Sequence, residues 1–343
     1  MSAIEKLLQS KVPEYAEIEI FFFEHCNLRC IHCFQDHEST IGMNENSIMS
    51  KVSLIEDFFK RTSRKSVILN IMGGELFQDH LLETFLPIYS KFINEVKKLS
   101  TEYEKEPRFN FVTNLLATKH DLFLSWIQEH NLKLSVSYDL SGRFNINQLE
   151  LFKQNIEIYQ NHIGLICLVA TKHNIDLLIK KGDIYYDYLY NKFTCYWDQL
   201  TPGPTVPTEL VPSEKEYLDF LIFLVDNYPK CSNLEAFVNK KQHNKMSCPS
   251  LNKLLIESNN QTSSCRIQQH KKSKDFITIV DKTNDAIIEK WINDKGCLSC
   301  EYFQRCSFSC FVRNDWKRLK RDFDGCIYKE TFKYVDSKNG SDN

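Results

Sequence analysis

The chain has 343 residues and a formal net charge of −2, so no overall positive field predicts binding to nucleic acid. Its first residues lack the apolar core of a signal peptide, and its most apolar later stretch, residues 218–225, is too short to cross a bilayer. We therefore expect a cytoplasmic protein with no membrane partner. In that reducing compartment, its 13 cysteines favour metal sites over disulfides.

Short apolar strands and amphipathic helices alternate along the first 200 residues. The predicted strands are 17–23, 67–72, 109–112, 132–138, 164–169 and 193–197, and the predicted helices are 46–61, 81–99, 119–129, 146–161 and 175–181. Six strands separated in this way indicate a parallel sheet of right-handed β/α units, but they are too few for a closed eight-stranded barrel. The prediction is an α/β fold with a partial, open, TIM-like (β/α)6 barrel.

The character of the sequence changes after the sixth predicted strand. Residues 201–207 are rich in proline and form a predicted connector, a helix is predicted at 213–228, and the chain is rich in cysteine from Cys248 onward. We predict a first domain over 1–205, a linker over 206–240, a cysteine-rich domain over 241–335 and a disordered tail over 336–343.

Three cysteines follow the first predicted strand on one short loop. They are Cys26, Cys30 and Cys33, separated by three and then two residues. Three thiolates at such spacing can hold three irons of a 4Fe–4S cluster and leave the fourth iron without a protein ligand. Ligand sites of parallel α/β folds lie at the carboxyl ends of the strands, where this loop is expected.

Two later strand ends carry polar or small residues that belong to the same predicted edge. Gly73 and Gly74 end the second strand and would let the backbone approach a ligand closely, and Glu75 offers a carboxylate to a cation. Ser137 and Asp139 end the fourth strand. The alternatives are a tight strand exit for the first segment and a capped helix start for the second.

The loop with Cys26, Cys30 and Cys33 resembles the signature of the radical S-adenosylmethionine (SAM) superfamily. The resemblance implies a (β/α)6 fold and an open iron that chelates the amino and carboxylate groups of SAM. It also implies that the Gly73–Glu75 segment binds the methionine amino group and that Ser137–Asp139 contacts the ribose or the methionine carboxylate. In this family the reduced cluster cleaves SAM to methionine and a 5′-deoxyadenosyl radical, which abstracts hydrogen from a substrate.

A second set of cysteines resembles the SPASM module, which in radical SAM enzymes holds two auxiliary 4Fe–4S clusters. The resemblance implies one cluster on Cys297, Cys300, Cys306 and Cys326, and another on Cys248, Cys265 and Cys310. Cys231 is one candidate for the fourth ligand of the latter cluster, and the alternatives are a non-cysteine ligand or an iron open to substrate. Structural zinc is the alternative for the whole module.

Two positions of this module depart from the family pattern. Asn260 stands where a hairpin glycine is usual, but asparagine tolerates positive φ, so the hairpin can form. Arg266 stands where sulfatase-maturing relatives have an aspartate that acts as a base. Serine or cysteine oxidation of that kind is therefore not expected.

The substrate is inferred from family frequency alone. A ribosomally synthesised peptide is expected, modified by crosslinking, thioether formation or epimerisation, and the alternatives are a small molecule such as a sugar or alcohol, or a zinc scaffold without radical chemistry. About 16 residues precede the first strand, which leaves no room there for a peptide-recognition domain, so a separate recognition protein is one expectation. A flavodoxin or ferredoxin is the expected electron donor.

Overall fold

The structure is a computed structural model of the chain. It describes residues 2–10, 14–33, 35–200, 203, 205–239, 252–263, 265, 277, 285–307 and 310–340. Two residues singled out in the sequence, Cys248 and Arg266, lie outside these ranges, and so does residue 341 onward in the predicted tail.

Eight strands form one sheet. They are β1 Tyr15–Phe21, β2 Ser66–Met72, β3 Glu106–Thr113, β4 Lys133–Ser137, β5 Ile163–Ala170, β6 Cys195–Gln199, β7 Lys253–Ile256 and β8 Thr262–Ser263. Their order is β6-β5-β4-β3-β2-β1-β7-β8, in which β1 to β5 pair in parallel, β7 pairs in parallel with β1, and β8 pairs antiparallel with β7. The first six strands confirm the predicted (β/α)6 arrangement.

The first strand shows why this part of the sequence forms a sheet. Ala16, Ile18 and Ile20 are fully buried on one face, whereas Glu17 and Glu19 on the other face are half-buried. This alternation follows the two-residue period of a β-strand. Each fully buried isoleucine contributes about 1.5–3 kcal/mol of hydrophobic stabilisation.

Helices connect the parallel strands and continue beyond β6. They are α1 Ala3–Ser10, α2 Glu45–Arg61, α3 Asp79–Glu102, α4 His120–His130, α5 Ile146–Tyr159, α6 Lys172–Lys181, α7 Ile184–Lys192, α8 Glu214–Asn227, α9 Glu235–Val238, α10 Asp285–Asp294, α11 Phe311–Asn314 and α12 Ile327–Gly340. Within the described ranges, none of these helices combines the length and apolar character needed to cross a membrane.

Among the described helices, α1, α7, α9, α10, α11 and α12 have no counterpart in the sequence prediction. Helix α7 has no continuous apolar face, since Ile184 is 90% exposed and its buried residues are Tyr186 and Leu189. The sequence therefore shows no helical period over this segment. The last helix, α12, continues through residues 336–340, where a disordered tail was predicted. Buried Phe332 anchors this helix, and Asp336 forms an ion pair with Arg305 at 3.0 Å.

The chain divides into two compact units. The sheet unit comprises Glu14–Cys167 and Leu251–Cys265, and the cysteine-rich unit comprises Met1–Pro13, Leu168–Ser250 and Arg266–Asn343. The sequence instead placed the hairpin of β7 and β8 in the domain 241–335. The hairpin joins the sheet unit because β7 extends the sheet beside β1.

The turn between β7 and β8 contains the asparagine that replaces the usual glycine. Asn260 has a φ of +66°, which confirms that asparagine adopts the required conformation. The side chain of Lys51, fully buried on α2, donates to the Glu257 carbonyl at 2.8 Å and to Asn260 Oδ1 at 2.6 Å. The buried lysine therefore supplies hydrogen-bond donors to a turn that lies 206 positions later in the chain.

Candidate functional site

The cysteine loop begins at an anchored point of the chain. Phe22 and Phe23, which follow β1, are fully buried. The ring of Phe22 stacks on Tyr89 with centroids 5.2 Å apart, and the ring of Phe23 meets Phe85 at 5.6 Å. These contacts fix the backbone three residues before Cys26, so the position of the loop is determined by the hydrophobic core.

Backbone hydrogen bonds then close the loop around its three thiols. The amide of Cys26 donates to the carbonyl of His37 at 3.1 Å, and the amide of Cys33 donates to the carbonyl of Cys30 at 2.9 Å. All three cysteines are half-buried, and the amide of Leu28 lies 3.4 Å from the Sγ of Cys26. The three predicted iron ligands therefore lie on one loop, in which Cys30 and Cys33 share a turn.

Burial makes ionisation of the Cys26 thiol unfavourable without a nearby cation. Burial is the main cause that raises the pKa of Cys26 to about 12; the Leu28 amide opposes this shift, and the neighbouring Glu75, Cys30 and Cys33 add to it. In the described part of the chain, no three histidine, cysteine or carboxylate side chains converge to hold a single metal ion. A 4Fe–4S cluster does not need such convergence, because each iron takes its own thiolate.

The glycines at the end of β2 allow a close backbone contact with the cysteine loop. The amide of Gly74 donates to the carbonyl of Phe23 at 2.9 Å, and the amide of Glu75 donates to the carbonyl of His25 at 3.0 Å. A Cβ on Gly74 would lie 1.9 Å from the His25 oxygen, and a Cβ on Gly73 would lie 2.3 Å from the Phe23 oxygen. Glycine is required here by the loop itself, whereas the sequence suggested a close approach to a ligand.

The carboxylate of Glu75 is held by the protein. It is 2% exposed and accepts hydrogen bonds from the amide of Phe77 at 3.0 Å, Thr113 Oγ1 at 2.8 Å and the amide of Asn114 at 2.5 Å. The Asn114 side chain also donates to Asn27 Oδ1 at 2.8 Å, in the cysteine loop. Glu75 therefore ties the ends of β2 and β3 together, which differs from the free, cation-facing carboxylate that the sequence suggested.

The end of β4 brings a second carboxylate beside the cysteine loop. Ser137 is half-buried, and buried Asp139 accepts from the amide of Ser141 at 2.9 Å, so it caps its own turn. Helix α5 is capped instead by Asn145. The other oxygen of Asp139 lies 3.7 Å from His32 Nδ1, and burial lowers the pKa of His32 to about 4, so this imidazole is neutral at pH 7.

Arg143 is a residue of this site that sequence reasoning missed. Burial raises the pKa of Cys30, and the charge of Arg143 lowers it again. The same charge acts on His32 and Glu75, and the Nε of Arg143 is buried without a hydrogen-bond partner among the described residues. Arg143 lies in the loop between β4 and α5, where no hydrophobic periodicity points to a functional residue. Its positive charge, four positions after Asp139, was the one available signal in the sequence.

A chain of polar side chains crosses the half-buried face of the sheet and was also missed. Asn70 donates to Glu17 at 2.6 Å, Asn110 donates to Asn70 at 2.8 Å, and Ser135 donates to Asn110 at 2.8 Å. Lys253 lies 3.8 Å from Glu17. In the sequence, the alternation of glutamate and isoleucine over residues 17–20 was the available signal that one face of β1 is polar. This face of the sheet is therefore suited to polar groups.

The cysteine-rich unit contains a cavity of about 290 Å³. Four half-buried thiols line it: Cys297, Cys300, Cys306 and Cys326. They are the set implied for one auxiliary cluster, and Cys310 is not among the lining residues. Four thiols are the ligand set of a 4Fe–4S cluster and also of a structural zinc ion.

Cys231 occupies a different part of the cysteine-rich unit. Its buried Sγ lies 3.3 Å from the hydroxyl of Tyr186, which also accepts a hydrogen bond from the indole of Trp197 at 2.6 Å. Burial raises the pKa of Cys231 to about 11. Its thiol therefore has a polar partner within an aromatic core, which favours a structural role over iron ligation.

Replacing Cys231 with alanine is expected to leave the iron content unchanged. The free energy of unfolding should fall by about 1–2 kcal/mol, because a small cavity and a lost hydrogen bond replace buried contacts. Iron and unfolding are measured on anaerobically reconstituted protein, and Cys310→Ala, which removes an implied ligand, is the comparison. An equal loss of iron in both variants would identify Cys231 as a ligand.

Comparisons with known proteins match the chain by structure and not by sequence. A scan against protein-family models finds no match, and a search of the curated proteins finds none. The solved structure of anSMEcpe with bound AdoMet is 14% identical, with a TM-score of 0.61 over 95% of this chain and 97% of that chain. Native anSMEcpe with bound AdoMet and the Cp18Cys peptide is 15% identical, with a TM-score of 0.59 over 95% and 97%. The chain therefore has the fold of anSMEcpe, which confirms the predicted α/β fold and, at the level of the fold, the resemblance inferred from the sequence.

Proposed function

We propose that the chain is a radical SAM enzyme, which cleaves SAM reductively and abstracts hydrogen from a substrate. One observation carries the proposal. Backbone hydrogen bonds join the start of the loop with Cys26, Cys30 and Cys33 to the Gly74–Glu75 segment at the end of the neighbouring strand β2. This arrangement occurs in a fold shared with an AdoMet-bound protein.

Each residue near the loop has a proposed task. A 4Fe–4S cluster on the three cysteines, with one open iron, would supply the electron that cleaves SAM. Arg143, with its buried and unpartnered Nε, would bind the SAM carboxylate. Backbone groups of Gly73, Gly74 and Glu75 would meet the amino group, since the Glu75 side chain is engaged. Ser137 and Asp139 would contact the ribose or carboxylate side of SAM, as the resemblance implies.

Two auxiliary 4Fe–4S clusters are part of the proposal. The four-thiol cavity of the cysteine-rich unit supports one of them. A low-potential donor such as flavodoxin or ferredoxin would reduce the protein, and a reducing cytoplasm would keep the cysteines available for iron. Zinc in place of iron remains the competing occupant of the cavity.

The proposed substrate is a ribosomally synthesised peptide that receives a crosslink, a thioether or an epimerised residue. The peptide bound to anSMEcpe, at a TM-score of 0.59, supports this choice. A separate recognition protein would then present the peptide. A small polar molecule such as a sugar or alcohol is the second candidate, and the hydrogen-bonded face with Glu17, Asn70 and Asn110 favours it.

Anaerobically reconstituted protein is expected to form 5′-deoxyadenosine and methionine from SAM when a strong reductant is added. Chromatography of the products measures both. A deuterium-labelled peptide and a deuterium-labelled sugar are then compared, because only the true substrate transfers deuterium to 5′-deoxyadenosine. Protein that holds zinc, little iron and no cleavage activity after reconstitution would refute the proposal.

A further inference from the structure

Lys295 connects the two chain segments that bring Cys297 and Cys326 to the cavity. It lies two residues before Cys297, and its Nζ donates to the carbonyl of Gly325 at 2.8 Å. Gly325 directly precedes Cys326 and has a φ of +141°, a conformation that favours glycine. A single side chain therefore links the backbone on both sides of the four-thiol cavity.

The backbone end of this link is fixed by helix α10. The amide of Lys295 donates to the carbonyl of Trp291 at 3.1 Å, and the amide of Gly296 donates to the carbonyl of Asn293 at 3.1 Å. Gly296 has a φ of +59°, so the helix ends in a left-handed turn that directs the chain to Cys297. Both ends of the lysine are thus held, one by the helix and one by Gly325.

The cavity is lined by charged side chains as well as by thiols. Lys295 lines the cavity together with Glu214 and Lys329. Lys329 lies 3.4 Å from Glu301, whereas Lys295 makes no ion pair within 4.0 Å among the described residues. The Gly325 carbonyl holds the Lys295 ammonium next to Cys326, so its charge lies close to the thiols of the cavity.

We propose that Lys295 is a positioning residue of the auxiliary cluster site, which holds the Cys297 and Cys326 segments together and raises the reduction potential of the cluster bound between them. Reduction adds one electron, from an external low-potential reductant, to a cluster that four thiolates already make anionic. A fixed cation nearby stabilises the more negative, reduced form. The inference rests on the proposed function, because it requires an iron–sulfur cluster in this cavity.

The test uses the full chain with Cys26, Cys30 and Cys33 replaced by alanine, so that only auxiliary clusters remain. Reductive titration followed by electron paramagnetic resonance gives midpoint potentials, and the signal lost in Cys300→Ala identifies the cavity. Lys295→Met is expected to shift that midpoint to a more negative potential, while Lys295→Arg is expected to restore most of it. Lys290→Met, which removes a half-buried lysine of the same helix paired with Asp294, is the matched control.

The outcomes distinguish a failure of the proposed cluster assignment from a failure of the proposed role of Lys295. A background variant without iron would refute the cluster assignment in the proposed function. Iron retained in Lys295→Met with an unchanged midpoint would overturn the inference alone, and so would iron lost equally from the methionine and arginine variants, since arginine keeps the charge and a donor. Iron lost only from Lys295→Met would support the positioning role, because the link to Gly325 would then be needed to assemble the site.

Discussion

Replacing Cys26, Cys30 and Cys33 together with alanine is expected to reduce 5′-deoxyadenosine formation to the background of the assay. The reason is that three thiolates of one loop supply every protein ligand of the proposed SAM-binding cluster. The variant should lose about four irons per chain, which is one cluster, and keep the iron bound by the C-terminal cysteines. Iron and sulfide per chain and chromatography of 5′-deoxyadenosine measure these effects.

The control for this experiment is Cys195→Ala, which removes a buried thiol outside both cysteine sets. It is expected to retain the iron content and the cleavage activity of the unmodified protein. Cleavage that survives in the triple variant would place the radical chemistry elsewhere in the chain. Loss of all iron from the triple variant would mean that the division of the cysteines between clusters is incorrect.

The features that depend on neighbouring residues were predictable from the sequence. The spacing of Cys26, Cys30 and Cys33 is local, and in the structure they lie on one loop, with Cys30 and Cys33 in the same turn. The apolar strands are also local, so each predicted parallel strand overlaps an observed one. The register of Gly74 against Phe23 could not be read in this way, because it arises only when β1 and β2 pair.

Features that depend on distant residues were the ones that sequence reasoning missed. Lys253 pairs with Glu17 across 236 positions of the chain because β7 adds to the sheet beside β1, and no local pattern predicts that neighbour. Arg143 acts on Cys30 from another strand end. For Glu75 the sequence motif was recognised, but the environment of the carboxylate was not. Two of its three hydrogen-bond donors come from the end of β3 and the residue after it, and they determine what the carboxylate does.

Replacing Glu75 with leucine is expected to lower the free energy of unfolding by more than about 3 kcal/mol, because three buried donors lose their acceptor. Glu75→Gln keeps the shape of the side chain and one oxygen, but its amide would face at least one donor. A loss of about 1–3 kcal/mol is expected for that variant. Urea unfolding under anaerobic conditions measures both losses. Glu83→Gln, which changes an exposed side chain of α3 paired with Lys119, is the matched control and is expected to change stability by less than about 1 kcal/mol.

The same variants separate the two roles that a carboxylate can have at this position. If Glu75 ties β2 to β3 and, through Asn114 and Asn27, to the cysteine loop, then the iron content of Glu75→Gln should fall together with its stability and its cleavage of SAM. If the carboxylate instead met the SAM amino group directly, Glu75→Gln would keep its iron and its stability but bind SAM more weakly. The buried position of Glu75, with three donors from the protein, favours the first outcome.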